Sequence, residues 1–149
     1  MSSLNTAPVA TLTITNAVGG AGGSTTAGAA VEGLGSYESV ALLATLTGVA
    51  GGALDLYVQT RHGAVWYDYA HFPQIAIGAA ATLYRVTCSR FGVTAAPIVI
   101  GSGLTPALAV NTLVNGDFGD AMRLVVVAAA GAAAGTQTVL VAGTYPVAR

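Results

Sequence analysis

The chain has 149 residues, enough for one ordinary domain, and a domain of this size buries roughly 68–70% of its unfolded surface without needing covalent staples. Only 7% of its residues are charged, against about 25% in ordinary soluble domains; there is no lysine, and the net charge is −1. This excludes the clustered basic patch that a nucleic-acid partner requires, and the single cysteine, Cys88, excludes an internal disulfide.

The first residues, MSSLNTAPVATLTITNAV, have no basic n-region and alternate with threonine, unlike a signal peptide. Within them, Val9–Asn16 interleaves apolar residues with Thr, the period-2 pattern of a strand. Gly19–Gly35 is low in bulk and rich in Gly, Ala, Ser and Thr, a composition that buries too little apolar surface to order itself. Residues 1–35 are therefore expected to form an extended N-terminal arm, free as a linker or ordered against a neighbouring subunit, ahead of a domain over 36–149.

Alternation dominates the rest. Tyr37–Thr47 places Val40, Leu42, Ala44 and Leu46 on one side. Leu54–Thr60 points Leu54, Leu56 and Val58 inward and Asp55, Tyr57 and Gln59 outward. After a His62-Gly63 turn short enough for a hairpin, Val65–Phe72 puts Trp66 and Phe72 on one face and Tyr67, Tyr69 and His71 on the other. Thr82–Ser89 sets Tyr84, Val86 and Cys88 on one face, Pro97–Gly101 is a short apolar piece, and Met122–Ala128 and Thr136–Tyr145 end the series. Alanine at 128–134 favours helix, but Gly131, Gly135 and the flanking valines favour strand, loop, strand. The most apolar run, Leu124–Ala134, is about half the ~20 residues a bilayer needs, so no membrane partner is expected.

Short strands rich in β-branched and aromatic residues, separated by Gly-containing breaks, predict an all-β fold, an antiparallel β-sandwich or jelly roll. The expected core includes Leu42, Leu46, Leu56, Val58, Trp66, Phe72, Val86, Leu124, Val126 and Leu140.

The chain offers little chemistry. No GxSxG elbow, phosphate loop, CxxC, HxH or HExxH occurs, and His62 and His71 lie nine residues apart on a turn and a strand end. Asn115-Gly-Asp-Phe-Gly-Asp120 has some calcium-loop oxygens but lacks the terminal bidentate glutamate, and reads as a turn with solvated acids. No enzymatic activity, cofactor or metal is expected, and Cys88 reads as a small buried hydrophobe. The densest signal is Tyr57–Phe72, which holds five of the ten aromatic residues. Tyr57, Arg61, Tyr67, Tyr69 and His71 are the interface candidates, since Tyr and Arg are enriched at interface centres; a glycan platform is the alternative use of these rings.

One pattern is familiar. Ser36-Tyr-Glu-Ser-Val40 runs into Leu42-Leu-Ala-Thr-Leu-Thr47, then Leu54-Asp-Leu-Tyr-Val-Gln-Thr60, and after a small turn Trp66-Tyr-Asp-Tyr-Ala-His-Phe-Pro-Gln74. This resembles small virion proteins of tailed phages, over Tyr37–Ser89, about a third of the chain. It departs from them at Arg61-His-Gly-Ala-Val65, which stands where an acidic turn precedes their tryptophan. The resemblance implies a capsid decoration (cement) protein on the virion surface, made in the host cytoplasm. Its partners would be the major capsid protein and its own copies, as a dimer or trimer. A head–tail connector or tail component, and a carbohydrate-binding adhesin module built on Tyr57–Phe72, are the alternatives. A skin this poor in charge tends to associate when left free, which accords with a surface covered by neighbours.

Overall fold

A computed structural model describes residues 6–15, 23–93 and 96–144. The fold is all-β, with nine strands among the described residues in two antiparallel sheets packed face to face. In chain order the strands are β1 (Thr6–Thr15), β2 (Ser24–Ala27), β3 (Ser39–Leu46), β4 (Leu54–His62), β5 (Val65–His71), β6 (Thr82–Ser89), β7 (Thr112–Leu113), β8 (Met122–Ala128) and β9 (Thr136–Thr144). A single turn of 3₁₀-helix, Leu34–Ser36, precedes β3. One sheet has the order β1-β9-β3-β6 and the other β2-β8-β4-β5-β7. With β7 set aside as an addition to the second edge, the order is that of two interlocked Greek keys, the eight-stranded jelly roll.

The alternation of the sequence builds the core between the sheets. Val40, Leu42, Ala44 and Leu46 from β3 meet Leu54, Leu56 and Val58 from β4, with Met122, Leu124 and Val126 from β8. Cys88 from β6 lies in the same cluster, and residues 129–135 form the loop between β8 and β9 as the glycines indicate. The turn falls one residue later than expected: Gly63-Ala64 closes the β4–β5 hairpin, with His62 paired to Val65 and Gly63 at φ 63°.

Four expectations are corrected. First, the 1–35 segment is not a separate arm over its described residues. β1 pairs with β9 and β2 with β8, so the segment gives each sheet an edge strand and contributes Leu12 and Leu34 to the core. The strand partners supply backbone hydrogen bonds that composition alone does not reveal. Gly19–Gly22 lie outside the described residues.

Second, Pro97–Gly101 forms no strand. It begins a loop running to Val110, and Leu108 packs with Tyr57 and Val125 over the outer face of the second sheet. That cover is why Tyr57 and Gln59, which point outward as expected, are nevertheless buried.

Third, Trp66 is not core. Val58 pairs with Ala70 but Gln59 with Asp68, so Tyr69 is an extra residue, a β-bulge. Both Tyr69 and Ala70 belong to the main core, and the alternation slips by one across them. Phe72 stays inside, whereas Trp66 lies opposite Arg61 on the outer face and is only half-buried.

Fourth, β9 is read with the opposite parity. Val139 and Val141 are buried and Leu140 is not, because Gln137 points inward. Its amide donates to the Thr47 carbonyl (2.7 Å) and accepts from the Thr47 N–H (2.8 Å), so a buried polar group is fully paired. Val86 is half-buried at the edge, since little of the opposing sheet covers β6.

Cys88 gives the fold a pH dependence. Burial pushes its thiol from the ordinary 9.0 up to about 12, partly offset by a hydrogen bond with Tyr69. The same burial raises the Tyr69 hydroxyl. The native state holds these protons more tightly than the unfolded chain. The resulting stability is complete below about pH 9 and is lost progressively as pH rises toward 12. Urea unfolding at stepped alkaline pH is expected to show this decline, and Cys88→Ala to flatten it. An equally steep decline in the variant would assign it elsewhere.

Candidate functional site

The five sequence-derived interface candidates do not form one surface. Tyr69 is 1% exposed; its hydroxyl donates to the Gly116 carbonyl at 2.8 Å and its ring meets Phe118 edge-on at 6.4 Å. Tyr57 stacks on His71 with centroids 3.9 Å apart, both beneath the covering loop. Burial first, then the Asp55 and Asp68 carboxylates, hold the Tyr57 hydroxyl above its ordinary range. The His71 ring nitrogens face the Leu108 carbonyl (2.8 Å) and the Asp55 carboxylate (3.2 Å). Tyr57, Tyr69 and His71 are thus structural: the bulge draws Tyr69 inward, and the loop covers the other two.

Arg61 and Tyr67 remain partly exposed. The Arg61 guanidinium donates to Glu32 (3.0 and 2.6 Å) and Asp120 (3.0 Å), and holds the Asp120 carboxyl below the usual carboxylate range. These exposed pairs tie the 3₁₀ region to the β8 approach but contribute little stability. Arg61 and Arg123 also lie against the Trp66 ring, 5.5 and 4.6 Å from its centroid. A glycan platform needs exposed coplanar rings, and of the five aromatics between 57 and 72 three are buried and Trp66 is covered by guanidinium groups.

The residue that organises the surface is Asp68, which alternation does not single out. It is 1% exposed. One carboxylate oxygen accepts from the backbone N–H groups of Gly101 (2.8 Å), Ala107 (2.7 Å) and Leu108 (3.0 Å), and the other from the Gln59 amide (3.0 Å). Gln59 in turn donates to the Gly103 carbonyl and accepts from Arg123. A buried carboxylate with charge-assisted bonds to three main-chain donors fixes the base of the 96–110 loop.

A second hub sits at the other end of the loop. Arg90 donates to the carbonyls of Tyr37, Leu34 and Gly119, pairs with Asp117 and lies 4.2 Å from the Phe118 ring centroid. Gly119 beside it has φ 50°, and a Cβ there would collide with the Arg61 carbonyl, so only glycine fits.

Between Arg90 and Asp117 the sequence has no charged residue. Phe91, Val93, Val99 and Leu104 on this segment are 53–80% exposed, and Leu83 on the neighbouring β6 is 79% exposed. Scattered apolar residues are ordinary on a protein surface; here they concentrate on one uncharged segment. The fold and this surface define the class: a jelly-roll β-sandwich presenting an anchored apolar loop. No family model, curated protein or solved structure matches the chain.

Among the described residues, no group of three or more His, Cys, Asp and Glu side chains is placed to hold a metal ion, and no helix is long and apolar enough to cross a membrane.

Proposed function

We propose that this chain is a structural protein of a tailed-phage virion, a decoration (cement) protein that binds the capsid and stabilises it by bridging subunits of the major capsid protein. The observation that carries the reading is the uncharged, apolar sequence over 91–110, in which Asp68 holds Gly101, Ala107 and Leu108. Jelly rolls recur in viral capsid and lectin domains, which supports a virion role by architecture alone, and architecture does not fix function. The sequence pattern over Tyr37–Ser89 adds the resemblance to phage virion proteins.

The role is mechanical and not catalytic. Burying the exposed Phe91, Val93, Val99 and Leu104 against a shell yields about 25 cal/mol per Å² of apolar surface removed from water. Because the loop base is already rigid, less ordering entropy opposes docking. Contacts with several shell subunits at once reinforce one another.

The test is co-expression with a tailed-phage major capsid protein, followed by gradient sedimentation of assembled shells. The chain is expected in the shell fraction at a fixed copy number per shell, and Val99→Asp with Leu104→Asp should release it. A chain that stays at the top of the gradient contradicts the proposal. A chain found only with tail or neck assemblies favours the connector reading instead.

A further inference from the structure

We propose that the free edge of β6 is a self-association surface, at which a second copy of this chain pairs its own β6 antiparallel across a two-fold axis. The two four-stranded sheets then join into one of eight strands.

A jelly roll of two open sheets has four edges, and three of them carry devices that discourage pairing. β1 has Pro8, which lacks an N–H, and its ladder shifts register between Pro8 and Ala10. β2 has four residues and β7 two, both too short to template a stable partner. β6 differs. Its eight residues pair with β3 in unbroken register from Ser39–Ser89 to Leu46–Thr82, with no proline, lysine or bulge. Its other side has no strand partner among the described residues.

The side chains along this edge are unfinished in the same sense. Leu83 is 79% exposed, and Tyr84 and Val86, although they face inward, are only half-buried. They open onto a cleft of about 230 Å³ between β6 and β7, lined also by Phe72 and Leu113. A strand added to β6 covers this opening.

A second copy fits the edge without further assumption. Antiparallel pairing of a strand with itself is isologous, so one surface satisfies both partners, and every strand pair in the fold is already antiparallel. The one charge on the strand, Arg85, selects the register. Setting Arg85 opposite its own copy is repulsive, whereas a shift by one residue per strand sets it opposite Leu83 or Thr87.

This inference does not rest on the capsid reading and is tested on the isolated full chain by sedimentation velocity and far-UV circular dichroism. Wild type is expected to reach a dimer of twice the 14.6 kDa chain mass as concentration rises. The double variant Leu83→Lys/Thr87→Lys, at two exposed positions, should remain monomeric with unchanged dichroism and Tm. Thr13→Lys, exposed on β1 at the opposite edge, should dimerise like wild type. Amide exchange of wild type should slow at residues 82–89 as concentration rises, which does not depend on any variant folding. A wild type that stays monomeric up to about 100 μM, above the micromolar range of weak specific interfaces, overturns the inference. So does a closed trimer, a double variant that still dimerises, a Thr13→Lys chain that does not, or exchange at 82–89 independent of concentration.

Discussion

Tyr69→Ala is expected to lower the free energy of unfolding by about 3–5 kcal/mol, the range of large aromatic truncations in a closed core. Trp66→Ala, although it removes a larger ring, should cost only about 1–2 kcal/mol. The difference follows from the bulge: Tyr69 is 1% exposed and hydrogen-bonded to Gly116, whereas Trp66 lies half-buried on the outer face against Arg61 and Arg123. Truncating Tyr69 also leaves the buried Gly116 carbonyl without its donor. Urea titrations followed by far-UV dichroism measure both. A Trp66 loss equal to or larger than the Tyr69 loss would mean that no bulge separates them and that alternation runs unbroken through β5.

Asp68→Ala is expected to cost about 3–5 kcal/mol, because it strands two buried main-chain donors, Gly101 and Leu108, a part-buried one, Ala107, and the Gln59 amide at once. Part of the loss is recovered where the loop opens to water, so the figure lies below the sum of separate penalties. Asp68→Asn should fall between the variant and wild type. Its carbonyl oxygen can still serve the three N–H groups, but its amide then faces the Gln59 amide, which is held as a donor by the Gly103 carbonyl. Amide exchange at Gly101, Ala107 and Leu108 should accelerate in both variants more than exchange in β3 or β8. Uniform acceleration across the molecule would show that Asp68 supports the whole fold and not the loop in particular. Since the loop carries the apolar residues proposed to meet the shell, the same substitutions should weaken shell binding by adding the cost of ordering it.

Much of the strand content was legible because period-2 alternation is a local signal. Thr82–Ser89 and Met122–Ala128 coincide with β6 and β8, and Leu54–Thr60 and Thr136–Tyr145 differ from β4 and β9 by one or two residues. What alternation does not carry is anything that depends on a partner distant in sequence. The bulge at Tyr69 is set by the β4 register and leaves no mark in the string Tyr67-Asp-Tyr-Ala-His71. The parity of β9 is ambiguous in the sequence because Val139, Leu140 and Val141 are all apolar; Gln137 is inside because the Thr47 backbone pairs both ends of its amide. β2 is illegible in the sequence because Ser24–Ala27 has no bulk and owes its strand to β8. The candidate site was legible in composition, as a chain almost without charge, and illegible in position. The aromatic cluster over 57–72 is mostly interior, and the exposed Val99 and Leu104 lie on a loop held by one buried carboxylate 33 to 40 residues away in sequence.

The account turns on whether the apolar 91–110 segment is covered when the chain is at work. Side-chain oxidative footprinting of the chain free and on assembled shells measures this directly. Protection of Phe91, Val93, Val99 and Leu104 on the shell, with Ile77 and Val65 labelled equally in both states, is the predicted result; equal labelling of all six residues on and off the shell would contradict it.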